Sequence, residues 1–198
     1  MKKSWIISLI TSFVLLGGVL LSPATSVNAA KEATSTYSDQ SYSENEDDFS
    51  EEFADESAFS EAEQELVDYL NQILALETYV AKTSTALESI GSQVTSPNRK
   101  SIYLKLTNTV IPNYSKFVSK LKQIKPVNPE LKKIHARFVK GSYTQLEGYL
   151  LYKQAVSKTK VNYTILKQGS AKIKTGGDLI DQSEQQLYAY ARSLGFEF

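Results

Sequence analysis

The sequence predicts an all-α protein, an antiparallel four-helix bundle preceded by a signal peptide and a disordered acidic arm. Three observations carry that expectation. Apolar residues recur every three or four positions over four long stretches, helix-start signals stand ahead of them, and neither alternating β-branched runs nor Gly-rich strand-to-helix turns occur.

At the N-terminus, Lys2 and Lys3 precede the apolar stretch from Trp5 to Leu21, followed by Ser22, Pro23 and Val27-Asn28-Ala29-Ala30. A basic start, an apolar middle and small residues at the end describe a secretory signal peptide, residues 1–29, cut after Ala29 or Ala30. The competing reading is an uncleaved anchor, which needs about 20 apolar residues. Gly17, Gly18, Ser8, Thr11 and Ser12 weaken such a helix. The expected location is secreted or cell-wall associated. With no Cys in the chain, disulfides, thiol chemistry and cysteine-linked lipidation are excluded.

Residues 30–59 are expected to be a disordered linker. They are rich in Ser, Thr, Asp and Glu, poor in branched aliphatics and without apolar period, so they bury too little to offset chain entropy.

Residues 60–198 are expected to form the bundle, with helices at about 60–91, 97–125, 129–158 and 162–194. Ser60 and Glu63 make a capping box ahead of Leu66, Leu70, Ile73, Leu76, Val80, Leu87 and Ile90, and Gly91 is a stop signal. Ser96 as cap and Pro97 at the first position open the second helix, whose apolar face runs Tyr103, Leu106, Val110, Tyr114, Phe117, Leu121 and Ile124. Pro112 must kink or interrupt it, since it removes an amide donor and crowds the preceding turn. Asn128 and Pro129 start the third helix, which presents Leu131, Ile134, Phe138, Leu146, Tyr149 and Val156.

In the fourth, Leu166, Ile173, Ile180, Leu187 and Leu194 fall seven apart, the spacing of a packed helical seam. Gly169, Ser170, Gly176, Gly177 and Ser183 are small enough to let a neighbouring backbone come close, although glycine inside a helix costs about 1 kcal/mol relative to Ala. Gly195 ends this helix and leaves Phe196 to Phe198 as a tail. Helices of this length give a bundle roughly 45 Å long at 1.5 Å per residue. The alternative architecture is a long coiled-coil hairpin that completes its core by dimerising.

Formal net charge is zero, yet the charges are segregated. Fourteen acids and one Lys lie between Lys31 and Asp68, whereas seventeen Lys plus Arg face only Glu130 and Glu147 between Arg99 and Lys174. Lys116, Lys120, Lys122, Lys125, Lys132, Lys133, Arg137 and Lys140 crowd around the turn between the second and third helices. Such a field attracts polyanions with little demand for sequence or shape. Tyr143, Tyr149, Tyr152 and Tyr163, near Lys153, Lys158 and Lys160, are candidates for aromatic contact with the same partner. The favoured alternative is that they straddle the core boundary of a bundle.

The catalytic inventory is thin. His135 is the only His and sits at the edge of an apolar face, and no Cys or second His can join it to hold zinc. Asp178, Asp181 and Glu184 line up on the fourth helix as a solvated acidic stripe. No catalytic residue, metal site or cofactor is expected, and the chain reads as a non-enzyme.

The run Pro-Glu-Leu-Lys-Lys-Ile-His (Pro129 to His135), placed after a signal peptide and polar linker and before Tyr- and Lys-rich helices, resembles small exported helical-bundle proteins of Gram-positive bacteria, mostly of unknown function. The resemblance covers residues 60–194 and implies a cell-envelope setting without assigning any functional residue. Many of those proteins carry a lipobox Cys; this chain has none.

The expected function is a non-enzymatic exported binding module. Its basic helix faces would associate with an anionic envelope polymer or lipid headgroups, and the acidic arm would modulate that association by masking the basic face. The bland alternative for the arm is solubility. The alternative function is a secreted helical adaptor or inhibitor of another exported protein, using an apolar or Tyr-rich groove and the Phe196 to Phe198 tail. No specific nucleic acid partner is expected, and the chain should be a monomer or weak dimer.

Overall fold

The computed structural model describes residues 59–91 and 93–196, together with the backbone of Ser22–Pro23. The rest of the expected signal peptide, the acidic arm, Glu197 and Phe198 lie outside the described residues. What is described is all-α. The one departure is a two-residue parallel contact between β1 (Ser22–Pro23) and β2 (Gln93–Val94), too short to form a layer.

Helix α1 (Glu61–Leu74) opens on the expected capping box. The Glu63 amide donates to the Ser60 hydroxyl at 3.3 Å, and the Ser60 amide donates to the Glu63 carboxylate at 2.8 Å. The first rod is not continuous. It breaks at Ala75 and Leu76, and α2 (Glu77–Glu88) resumes the same apolar period, burying Val80, Ala86 and Leu87. Gly91 then turns the chain at φ +75°, a left-handed conformation that glycine adopts without steric cost.

The second rod begins later than its Pro signal suggested. Ser96 and Pro97 lie in a turn closed by the Thr95 amide donating to Asn98 Oδ1 at 2.8 Å, and α3 (Arg99–Lys105) starts with Asn98 as its cap position. Pro112 exerts its effect one turn upstream. Leu106–Val110 is wound as a π-helix, and the Ile111 amide reaches back to Leu106 O, so the wider turn makes room where a proline ring would crowd an α-helical carbonyl. Helix α4 (Ile111–Leu121) follows without loss of the buried face.

Asn128 caps α5 (Pro129–Val156) by accepting from the Glu130 amide at 2.8 Å and the Leu131 amide at 3.3 Å, with Pro129 at the first position. Asn162 caps α6 (Tyr163–Ser193), accepting from the Ile165 amide at 3.1 Å.

The α5–α6 pair is the tightest part of the molecule. A Cβ placed on Gly141 would meet Gly176 O at 2.8 Å, and one on Gly148 would meet Gly169 O at 2.9 Å. Seven residues forward on α5 is seven back on α6, so the helices run antiparallel with glycine opposite glycine and backbone against backbone. At a site of this kind the propensity cost of glycine is offset by contacts that any side chain would prevent. The heptad residues Leu166, Ile173, Ile180 and Leu187 are all buried beside this seam.

Further contacts fix the other helices. Tyr114 of α4 packs edge-on against Tyr149 of α5 at 5.1 Å, and Phe117 against Phe138 at 6.1 Å, an antiparallel arrangement. Tyr69 meets His135 while Glu65 meets Asn128, so α1 runs parallel to α5. The expected tail after Gly195 is packed at its first residue, Phe196. Gly195 turns at φ +80°, the Phe196 amide donates to Ala191 O at 3.1 Å, and the ring is buried against the core with Phe59 at 6.4 Å.

Candidate polyanion-binding face

The face is built on the hairpin of α4, its turn and α5. Apolar period fixes which side faces in: Tyr114, Phe117, Leu121, Leu131, Ile134 and Phe138 are buried, which leaves the intervening Lys positions outward. Lys116, Lys120, Lys122, Lys125, Lys132, Lys133 and Lys140 are exposed, and Arg137 is half-buried. Lys133, Arg137 and Lys140 stand at i, i+4 and i+7, one stripe of α5 about 10 Å long. Among the described residues only Lys133 of this set pairs with a carboxylate, Glu130 at 3.2 Å, and both partners are largely exposed. Lys125 Nζ donates to Lys122 O at 3.1 Å, which folds that charge over the turn.

One acid is built into this end. The Glu65 carboxylate of α1 accepts from the amides of Val127 and Asn128, the latter at 2.8 Å, and so covers the backbone donors at the start of α5. Its charge and that of Glu130 also push the Tyr190 hydroxyl of α6 upward, after burial, which is the larger cause. The start of α1, the α4–α5 turn and the end of α6 therefore meet at one end of the molecule. Sequence reasoning missed Glu65 because it stands in a run of acids; only its position directly before buried Leu66 marks it as a boundary residue.

The aromatic candidates separate into two groups. Tyr149 and Tyr152 are core residues, 2% and 0% exposed, which corrects their reading as contact residues. Tyr152 Oη lies 2.9 Å from Ser170 Oγ, and burial raises the Tyr149 hydroxyl well above its ordinary range. Tyr143 and Tyr163 are 56% and 49% exposed, but the α5–α6 register sets them about 16 Å apart along the helix axis, so they form no cluster. Tyr163 lines an open depression of about 770 Å³ with Lys158 and Lys160, confined to the α5–α6 connection.

His135 is buried beside Tyr69, whose Oη lies 3.3 Å from Nδ1. Burial, then the charge of Lys125, depress its pKa below the ordinary value of 6.5, partly offset by a backbone hydrogen bond with Leu121. Burial in the packing between α1 and α5 thus favours the neutral ring. A second polar pair missed in the sequence is Tyr114, whose hydroxyl donates to Oε1 of fully buried Gln145 at 2.5 Å. Gln145 falls on the apolar face between Phe138 and Tyr149, and that position was its only signal. The acidic stripe divides: Asp178 pairs with Lys174 of its own helix at 2.9 Å, and burial and then Asp181 raise Glu184. Among the described residues no cluster of His, Asp or Glu has metal-ligand geometry, and no helix is long and apolar enough to cross a membrane.

Comparison with protein-family models, with curated proteins and with solved structures gives no match for this chain.

Proposed function

We propose that this chain is a non-enzymatic, exported helical binding module whose α4–α5 hairpin associates with an anionic polymer of the cell envelope. The helices act in this reading as one antiparallel four-helix bundle delivered by the N-terminal signal peptide, akin to the small exported bundle proteins of Gram-positive bacteria. The observation that carries the reading is the row of outward cations from Lys116 to Lys140, of which only Lys133 meets a carboxylate among the described residues. A face built to remain in solvent alone gains nothing from such concentration, since like charges four apart repel.

The test is binding of poly(glycerol phosphate) across a salt series, with anionic vesicles as a parallel arm. Polymer binding that collapses between low and moderate salt, and falls when Lys132, Lys133 and Lys140 are changed to Gln, supports the reading. Absence of polymer binding at low salt refutes it. Vesicle binding alone moves the assignment to lipid headgroups. The adaptor reading rests on Tyr143 and Leu150, exposed at 56% and 47% and seven residues apart on α5. A partner captured there would survive the same salt.

A further inference from the structure

We infer that the acidic stretch from Glu44 to Glu56 docks on the basic α4–α5 hairpin of its own chain and competes with the polymer for it. This rests on the polyanion reading of that face and names its regulation.

Three observations place the occupant. The first is where the acidic stretch joins the described part of the chain. The described chain begins at Phe59, whose ring packs on Phe196, and α1 begins at Glu61. Ser60 stands about 8 Å along the helix axis from Glu65, which already touches the amides of the α4–α5 turn. The acidic stretch therefore enters at the end of the molecule where Lys122, Lys125, Lys132 and Lys133 are exposed.

The second is charge. Glu44, Glu46, Asp47, Asp48, Glu51, Glu52, Asp55 and Glu56 carry eight negative charges with no intervening cation, against the eight cations of the hairpin. The third is contact chemistry. Glu65 shows that a carboxylate from the N-terminal side is accepted at this turn by backbone donors, while of the lysines around it only Lys133 meets a carboxylate, Glu130, among the described residues.

Tethering makes even a weak contact effective. A link of this length gives an effective concentration on the order of mM, so an intrinsic arm affinity of ~100 μM lowers apparent polymer affinity about ten-fold.

The test uses the full chain and a variant with Glu44→Gln, Glu46→Gln, Asp47→Asn, Asp48→Asn, Glu51→Gln, Glu52→Gln, Asp55→Asn and Glu56→Gln, which keeps the arm's length. Zero-length carbodiimide crosslinking of the unliganded chain, mapped by mass spectrometry, reports the contact without any ligand. The expected result is crosslinks from residues 44–56 to Lys122, Lys125, Lys132 or Lys133 that vanish at high salt, with poly(glycerol phosphate) affinity about ten-fold higher in the variant. Crosslinks spread equally to Lys82, Lys172 and Lys174, or none, overturn the inference, as does unchanged polymer affinity in the variant. Hairpin crosslinks in a chain that binds no polymer establish the arm contact and overturn the polymer reading instead.

Discussion

Two neighbouring glycines of α6 should respond to alanine with opposite signs. A Cβ on Gly176 would lie 2.5 Å from Gln145 Cγ, 2.7 Å from Gly141 O and 2.8 Å from Gln145 N, two of the three being backbone atoms that cannot swing aside. Relief requires α5 and α6 to part by more than about half an ångström, which weakens every contact along the seam; overpacking of this kind costs about 1–3 kcal/mol. Alanine recovers about 1 kcal/mol of helix propensity. Because the obstruction is backbone, the cost falls at the upper end of that range, about 3 kcal/mol, and the net for Gly176→Ala is a loss of about 2 kcal/mol.

At Gly177 the new Cβ meets only Gln145 Nε2 at 3.6 Å, an ordinary contact, so Gly177→Ala keeps the propensity gain of about 1 kcal/mol. The two variants should differ by about 3 kcal/mol, or roughly 6–12 °C in Tm for a chain of this size. Thermal unfolding followed by circular dichroism measures both. Two variants that shift Tm alike would refute the close backbone approach. Gly141→Ala combined with Gly176→Ala supplies a further check: both force the same parting of the helices, so the second substitution should cost less than the first.

Further expected outcomes follow from the polar contacts. Because the folded-state pKa of His135 is depressed, its contribution to stability is present above the unfolded value near 6.5 and is lost as pH falls through that value toward the folded one. Tm should therefore drop between pH 7 and 5, and His135→Gln should flatten that slope in a pH series. Tyr114→Phe removes the hydroxyl that donates to Gln145 Oε1 in the core and should cost about 0.5–1.5 kcal/mol by denaturant titration, with unchanged m-value. Glu65→Ala uncovers the Val127 and Asn128 amides at the start of α5 and should lower stability by about 1.5–3 kcal/mol, whereas Glu65→Gln, which keeps an acceptor, should lose less. Changing Lys132, Lys133 and Lys140 to Gln should leave Tm within about 2 °C, since exposed charges contribute little to folding.

Much of the fold was legible because its signals are local. The Ser60–Glu63 box, Asn128–Pro129 and Gly195 each act within one turn of chain, and each stands where the sequence placed it. The break at Ala75 and Leu76 was not legible, since the apolar period continues through it from Ile73 to Val80. Ser96-Pro97 misled because Thr95 and Asn98 close a turn across it, and hydrogen bonding between those two side chains and backbones outcompeted the Pro signal. At the candidate site the lysines were readable from charge alone and Tyr149 from its place on the apolar face of the third helix, whereas Tyr152 was not separable from surface tyrosines. The Tyr152 hydroxyl is accommodated by Ser170 of α6, a partner that period and composition do not reveal.

The glycine seam and the basic face also constrain each other. Along the Gly141–Gly176 and Gly148–Gly169 contacts α5 and α6 come too close to admit a side chain. That side of α5 is closed to any ligand. The remaining exposed arc at its N-terminal half is the one bearing Lys132, Lys133 and Lys140, and it is flanked by α4 with Lys116 and Lys120. Both helices are fixed from behind by Tyr114–Tyr149 and Phe117–Phe138 packing, so the cations project from a stiff hairpin. A polymer meeting that hairpin orders its own chain and not the protein's backbone. The entropy cost therefore falls mainly on the ligand and on the lysine stems. Affinity on such a surface is set by the number of charges engaged at once, so a short oligomer should bind far more weakly than a chain long enough to follow both α4 and α5.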